Sequence, residues 1–170
     1  MQKITNLYFK LLKVSIVSCL VVMVIMVFTN VVMRYVFNSG LAISEELSRW
    51  AFVWLIFLGA ILVLHENAHL GVDIFLQKVS RPVKKALLIL SKLIMLVLTV
   101  LILDGSIEQT MLNLDALAPA SGFSQSWLFG VGIIFAVSTF FVLLYQLYCL
   151  IKTPSAHIDS VMTKASLGAE

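Results

Sequence analysis

Three observations predict an all-α integral membrane protein with four transmembrane helices and both termini cytoplasmic. The composition is that of no ordinary soluble domain, four long apolar runs lack strand-like alternation, and the basic residues gather beside those runs. Of the 170 residues 61% are hydrophobic and 12% charged, and the mean hydropathy is +1.03. In lipid every backbone N–H and C=O must be satisfied within the chain, so continuous apolar runs of this length form helices. The formal charge of +3 does not mark a nucleic-acid binder, because the cations flank apolar runs rather than forming an exposed stripe. Membrane lipid is therefore expected as a partner, and nucleic acid is not.

The first run, 14–33, is uncharged and follows Lys3, Lys10 and Lys13. Its 20 residues reach about 30 Å, enough to cross the hydrocarbon core, and no small-x-small cleavage site follows, so it reads as a retained anchor. The second run is free of charge only over 50–64, about 22 Å, too short to cross unless charged ends are recruited. Its helix is predicted over 45–69, preceded by a short polar outer segment. Ser44 is the expected N-cap, and Glu45 and Glu46 fall in the first turn, where the helix dipole favours negative charge. Gly71 supplies a stop, and Lys78, Arg81, Lys84 and Lys85 around Pro82 make 77–85 the most basic loop. The third run, 86–103, contains one charge, Lys92; the fourth, 127–150, contains none.

The N-terminus, this loop and the C-terminal tail hold nine of the twelve Lys and Arg residues, which sets both ends inside. The stretch 104–126 carries Asp104, Glu108 and Asp115 and no basic residue, and is expected as an outer loop. Ile107, Met111, Leu114 and Leu117 form a weak helical stripe there, open to a surface loop, a membrane contact or a partner. The expected organisation is a transmembrane domain over 1–153 and a polar cytoplasmic tail over 154–170. Cys19 and Cys149 face the reducing side and read as small packing residues.

His65, Glu66 and His69 spell H-E-x-x-H, the helical spacing that puts two imidazoles on one face for zinc. Intramembrane metalloproteases pair this motif with an L-D-G tripeptide, and Leu103, Asp104 and Gly105 spell that as well. The predicted topology separates the two by about the full core, 30 Å, whereas a shared metal needs bonds near 2 Å. An intramembrane zinc protease is therefore the alternative reading, and a polar helix end the preferred one. Lys92 is expected to snorkel to the inner interface. Arg49 is placed either in a pair with Glu45 and Glu46 on its own helix or against another protein. Asn30 is expected to face protein. No carboxylate lies within a span, as a self-sufficient proton-coupled exporter would require, so an independent channel or exporter is a further alternative and a subunit of a larger assembly the preferred reading.

From residue 30 to residue 73 the chain resembles the small membrane subunit of tripartite ATP-independent periplasmic (TRAP) transporters. Arg34, Tyr35, Val36, Phe37 and Asn38 resemble the family's R-Y-V-F-N; Glu45, Glu46, Leu47 and Arg49 its E-E-L-x-R. Val53, Trp54, Phe57, Leu58, Gly59 and Ala60 resemble its V-W and F-L-G-A segments, and His69, Val72 and Asp73 its H-x-x-V-D. Gly40 and Ile43 stand where proline and tryptophan are common, and Pro119 has no second proline near the fourth span. His65 and Glu66 fall at variable positions, which makes H-E-x-x-H an accident. The resemblance implies a non-enzymatic accessory subunit in the bacterial inner membrane. It would scaffold a large multispan subunit that performs elevator-like, sodium-coupled import, fed by a periplasmic substrate-binding protein. Sodium is expected in that partner, and no cofactor in this chain. Organic acids are the implied cargo, sialic acid ahead of C4-dicarboxylates. Subunit-interface or structural roles fall on Arg34, Glu45, Glu46, Arg49 and Trp54 and, near the inner surface, on His69 and Asp73.

Overall fold

The computed structural model describes residues 2–65 and 81–152. These described residues form four helices: α1 (Gln2–Val36), α2 (Ala42–His65), α3 (Arg81–Leu112) and α4 (Ser126–Lys152). All four are long and apolar enough to cross a membrane, as the uninterrupted apolar runs require.

The helices outrun the apolar runs that announce them. The 35 residues of α1 reach about 52 Å at 1.5 Å per residue, so the lysine-bearing lead is helical too. The last three turns of α3 include Asp104 and Glu108, so the connection expected over 104–126 contracts to 113–125. Charge at i and i+4 is compatible with a helix outside the hydrocarbon, where backbone pairing continues and side chains meet water. α2 begins at Ala42, three residues before the predicted start. Ser44 is consequently not the N-cap. Its N–H donates to the Leu41 carbonyl at 3.0 Å, and its buried hydroxyl donates across to the Met26 carbonyl of α1.

The described residues fall into two compact units. One comprises the chain up to Leu62 together with Asp104–Phe135. Its core is Leu12, Leu58, Ile61 and Val131, with Phe57 and Phe135 packed on it edge to face at 5.3 Å. α1 runs antiparallel to α2 here, since Leu12 shares this core with Ile61 while Met26 bonds Ser44. A Cβ added to buried Gly132 of α4 would lie 3.1 Å from the Ser106 Cβ of α3 and nearer still to its Oγ. Only glycine allows that approach.

The other unit takes in the described residues from Val63 to Leu103 and from Ala136 onward. Ala136 and Leu143 of α4 are fully buried in it. Lys92 does not snorkel: it is 8% exposed and donates to the Gln146 Oε1 at 2.5 Å, and the Gln146 amide donates to the Leu64 carbonyl of α2 at 2.8 Å. An amide oxygen within reach removes the need for the ammonium to seek water. Lys85 donates to the Ile151 carbonyl at 3.2 Å, satisfying one of the acceptors a helix end leaves open.

Candidate functional site

The polar residues singled out in the sequence converge on the end of α2 that carries Ala42. α1 stops where Asn38 takes φ +54°, a left-handed conformation asparagine tolerates better than most residues. The Phe37 and Ser39 N–H groups both donate to the Met33 carbonyl at 3.1 Å, which turns the chain. Asn30 holds the turn from beneath. Its Oδ1 accepts the Leu41 N–H at 2.9 Å, and its Nδ2 donates to the Glu45 Oε1 at 3.3 Å. Asn30 therefore faces protein, as its depth in an apolar helix demands. Asn30, Arg34, Asn38, Gly40, Ala42 and Glu45 line an open polar cleft of about 440 Å³.

Glu46, one residue further along α2, points elsewhere. It accepts the Ala120 N–H at 3.0 Å and the Ser121 hydroxyl, both in the 113–125 segment. That segment is itself fixed. Leu117 and Ser124 form an antiparallel bridge, the Ala118 N–H donates to the Phe123 carbonyl at 2.8 Å, and the Gln125 N–H donates to the Ala116 carbonyl at 2.8 Å. Gly122 turns it with φ +71°, where other residues are strained.

The two carboxylates preceding Arg49 hydrogen-bond Asn30 and the loop, Arg49 adds a lesser electrostatic attraction to Glu46, and Arg49 itself is exposed. Arg34 is exposed as well. Trp54 lies about two turns beyond Glu46 on α2, where its indole N–H donates to the Trp127 carbonyl at 3.1 Å. Its role here is to tie α2 to the start of α4. Arg34, Asn30 and Glu45 are brought together, Glu46 and Trp54 contact the α3–α4 side of the same unit, and His69 and Asp73 lie outside the described residues. So do Glu66 and Gly71, and hence most of H-E-x-x-H. Ser121 and Gln146 escaped sequence reading. Ser121 carries no signal, whereas Gln146 is a polar residue inside an uncharged apolar run and can be flagged on that ground.

This arrangement offers helix-end hydrogen bonds, an open polar cleft and exposed cations on a four-helix membrane-spanning frame, the makings of an interaction surface in an integral membrane protein. Residues 23–153 match the family model described as tripartite ATP-independent periplasmic transporters, DctQ component. The chain belongs to that family of small permease subunits. It is 37% identical over 147 residues to a putative TRAP transporter small permease protein of Haemophilus influenzae, covering 86% of this chain and 91% of the relative. A second protein of the same description and organism is 37% identical over 146 residues, covering 86% and 88%. The C4-dicarboxylate TRAP transporter small permease protein DctQ of Vibrio cholerae serotype O1 is 29% identical over 84 residues, covering 49% of this chain and 36% of its own length. The chain is accordingly a transporter subunit and not an enzyme, which sets aside the zinc-protease alternative.

Proposed function

We propose that this chain scaffolds the large multispan subunit of a sodium-coupled TRAP importer in the bacterial inner membrane. The large subunit holds the sodium and substrate sites and moves in an elevator-like step, and a periplasmic binding protein delivers the cargo. Both termini are cytoplasmic; the transmembrane domain occupies 1–153 and a polar tail 154–170. This chain needs no cofactor of its own. The cargo is an organic acid, with sialic acid the first to test and C4-dicarboxylates, the cargo class named for the Vibrio cholerae relative, the second.

The observation that carries the interface reading is the exposure of Arg34 and Arg49 while the neighbouring carboxylates are engaged within the chain. A guanidinium at the end of an apolar helix is costly to hold in lipid and well suited to a carboxylate or carbonyl of a partner. Arg34, Glu45 and Arg49 then make the contact on the outer side, Glu46 and Trp54 keep the surface in shape, and His69 and Asp73 serve the inner side.

The test is co-purification of the large subunit on the tagged chain, with sodium-driven uptake into proteoliposomes supplied with binding protein. Arg49→Ala is expected to reduce both the co-purified partner and the uptake while leaving the unfolding midpoint of the isolated chain unchanged. Full co-purification and full uptake by the Arg34→Ala/Arg49→Ala double variant would remove the outer cations from the interface.

A further inference from the structure

The connection between α3 and α4 is poor in charge and rich in outward apolar side chains. Asp115 is the one ionisable residue in 113–125. Leu117 and Phe123 are 65% and 57% exposed, as is 63% of Trp127 at the start of α4. A stretch this apolar would bury itself or fray if its backbone were free. Here the bridge between Leu117 and Ser124 and the bonds from Ala120 and Ser121 to Glu46 hold it open. The exposed apolar side chains run on along the chain into Trp127, in the first turn of α4.

We infer that the 113–125 segment is an interfacial anchor. Glu46 holds it so that Leu117, Phe123 and Trp127 seat in the boundary between lipid headgroups and acyl chains. Lipid is favoured over a soluble partner for three reasons. The patch adjoins the first turn of α4, a helix apolar enough to cross a membrane. A tryptophan at the first turn of a span sits where amphipathic rings settle at the water boundary. A protein-docking patch ordinarily surrounds its apolar centre with a polar rim, and Asp115 is the only charge this segment supplies. The absence of Lys and Arg from 104–126 further predicts that seating is indifferent to anionic lipid. Glu46 is on this account a positioning residue, acting through the loop.

The experiment places a nitroxide at Phe123→Cys or Leu117→Cys in the full chain, with Cys19 and Cys149 replaced by serine. Collision with dissolved oxygen and with a water-soluble nickel chelate is compared in phosphatidylcholine nanodiscs, with and without added phosphatidylglycerol. The expected result is oxygen-dominated collision at both sites, equal in the two lipid mixtures, with a probe at Asp115→Cys more open to the chelate. Glu46→Gln should shift the Phe123 probe toward the chelate, and Glu45→Gln should not. Chelate-dominated collision at Leu117 and Phe123 would overturn the anchor, whether or not adding the large subunit then shields them; shielding by that subunit would identify a protein-docking face instead. An unchanged Phe123 probe in Glu46→Gln would overturn the positioning role.

Discussion

In the unit containing the α3–α4 connection, neutral and carboxylate side chains settle backbone groups of turns and of a neighbouring helix: Asn30 takes the Leu41 N–H, Ser44 the Met26 carbonyl and Glu46 the Ala120 N–H. In the unit built on Leu143, a buried ammonium rests on a side chain that is itself engaged, Lys92 donating to Gln146 and the Gln146 amide to the Leu64 carbonyl near the end of α2. The first arrangement spreads its stabilisation over several neutral or boundary bonds, so losing one leaves the others in place. The second includes a buried ammonium, and its bond to Gln146 cannot be replaced by bulk water.

The sharpest way to break this contrast is Gln146→Leu, which takes away the amide acceptor from Lys92. It is expected to cost about 2–3 kcal/mol of stability in reversible unfolding from mixed micelles. Lys92→Met combined with Gln146→Leu should recover most of that loss, because no charge then remains to be solvated. Gly132→Ala comes next. Its new methyl meets Ser106, and overpacking at such a contact costs about 1–2 kcal/mol in the same assay. Glu46→Ala should act locally, raising exchange at the Ala120 amide about tenfold by hydrogen-exchange mass spectrometry while α2 stays protected. The smallest effect belongs to Thr139→Val. The Thr139 hydroxyl is buried with no hydrogen-bond partner among the described residues, so the nearly isosteric valine should be neutral or stabilise by up to about 1 kcal/mol. A large loss there would show that a group outside the described residues engages the Thr139 hydroxyl.

The sequence made the helices legible and their ends less so, for a physical reason. Four apolar runs in a chain this hydrophobic leave lipid-crossing helices as the viable solution, and the first-turn position of Glu45 follows from local dipole arguments, whereas the earlier start of α2 at Ala42 moves Glu46 beyond that turn. Beyond the runs nothing apolar demands a helix, so the continuation of α3 through Asp104 and Glu108 was hidden by their charge. Partner choice was less legible still. Glu45 and Glu46 sit at i−4 and i−3 from Arg49, which local spacing reads as an ion pair, but Asn30 and Ala120 reach them from other parts of the chain. Lys92 taught the same lesson over a greater distance. A ruler along its own helix leads to the interface, and only the packing of α4 against it reveals an acceptor. The R-Y-V-F-N and E-E-L-x-R segments identified the family because they are continuous in sequence; the Glu46 loop contact, 74 residues apart, is not.

The Lys92 bond also imposes a timetable on biosynthesis. Its acceptor lies 54 residues downstream, and a ribosome adding 5–20 residues per second delivers Gln146 roughly 3–11 seconds after Lys92. During that interval the hydrogen bond does not exist, although α3 has been made and its charge must already be accommodated. The emergence of α4 completes the bond, so a helix translated later supplies an acceptor for a lysine in α3.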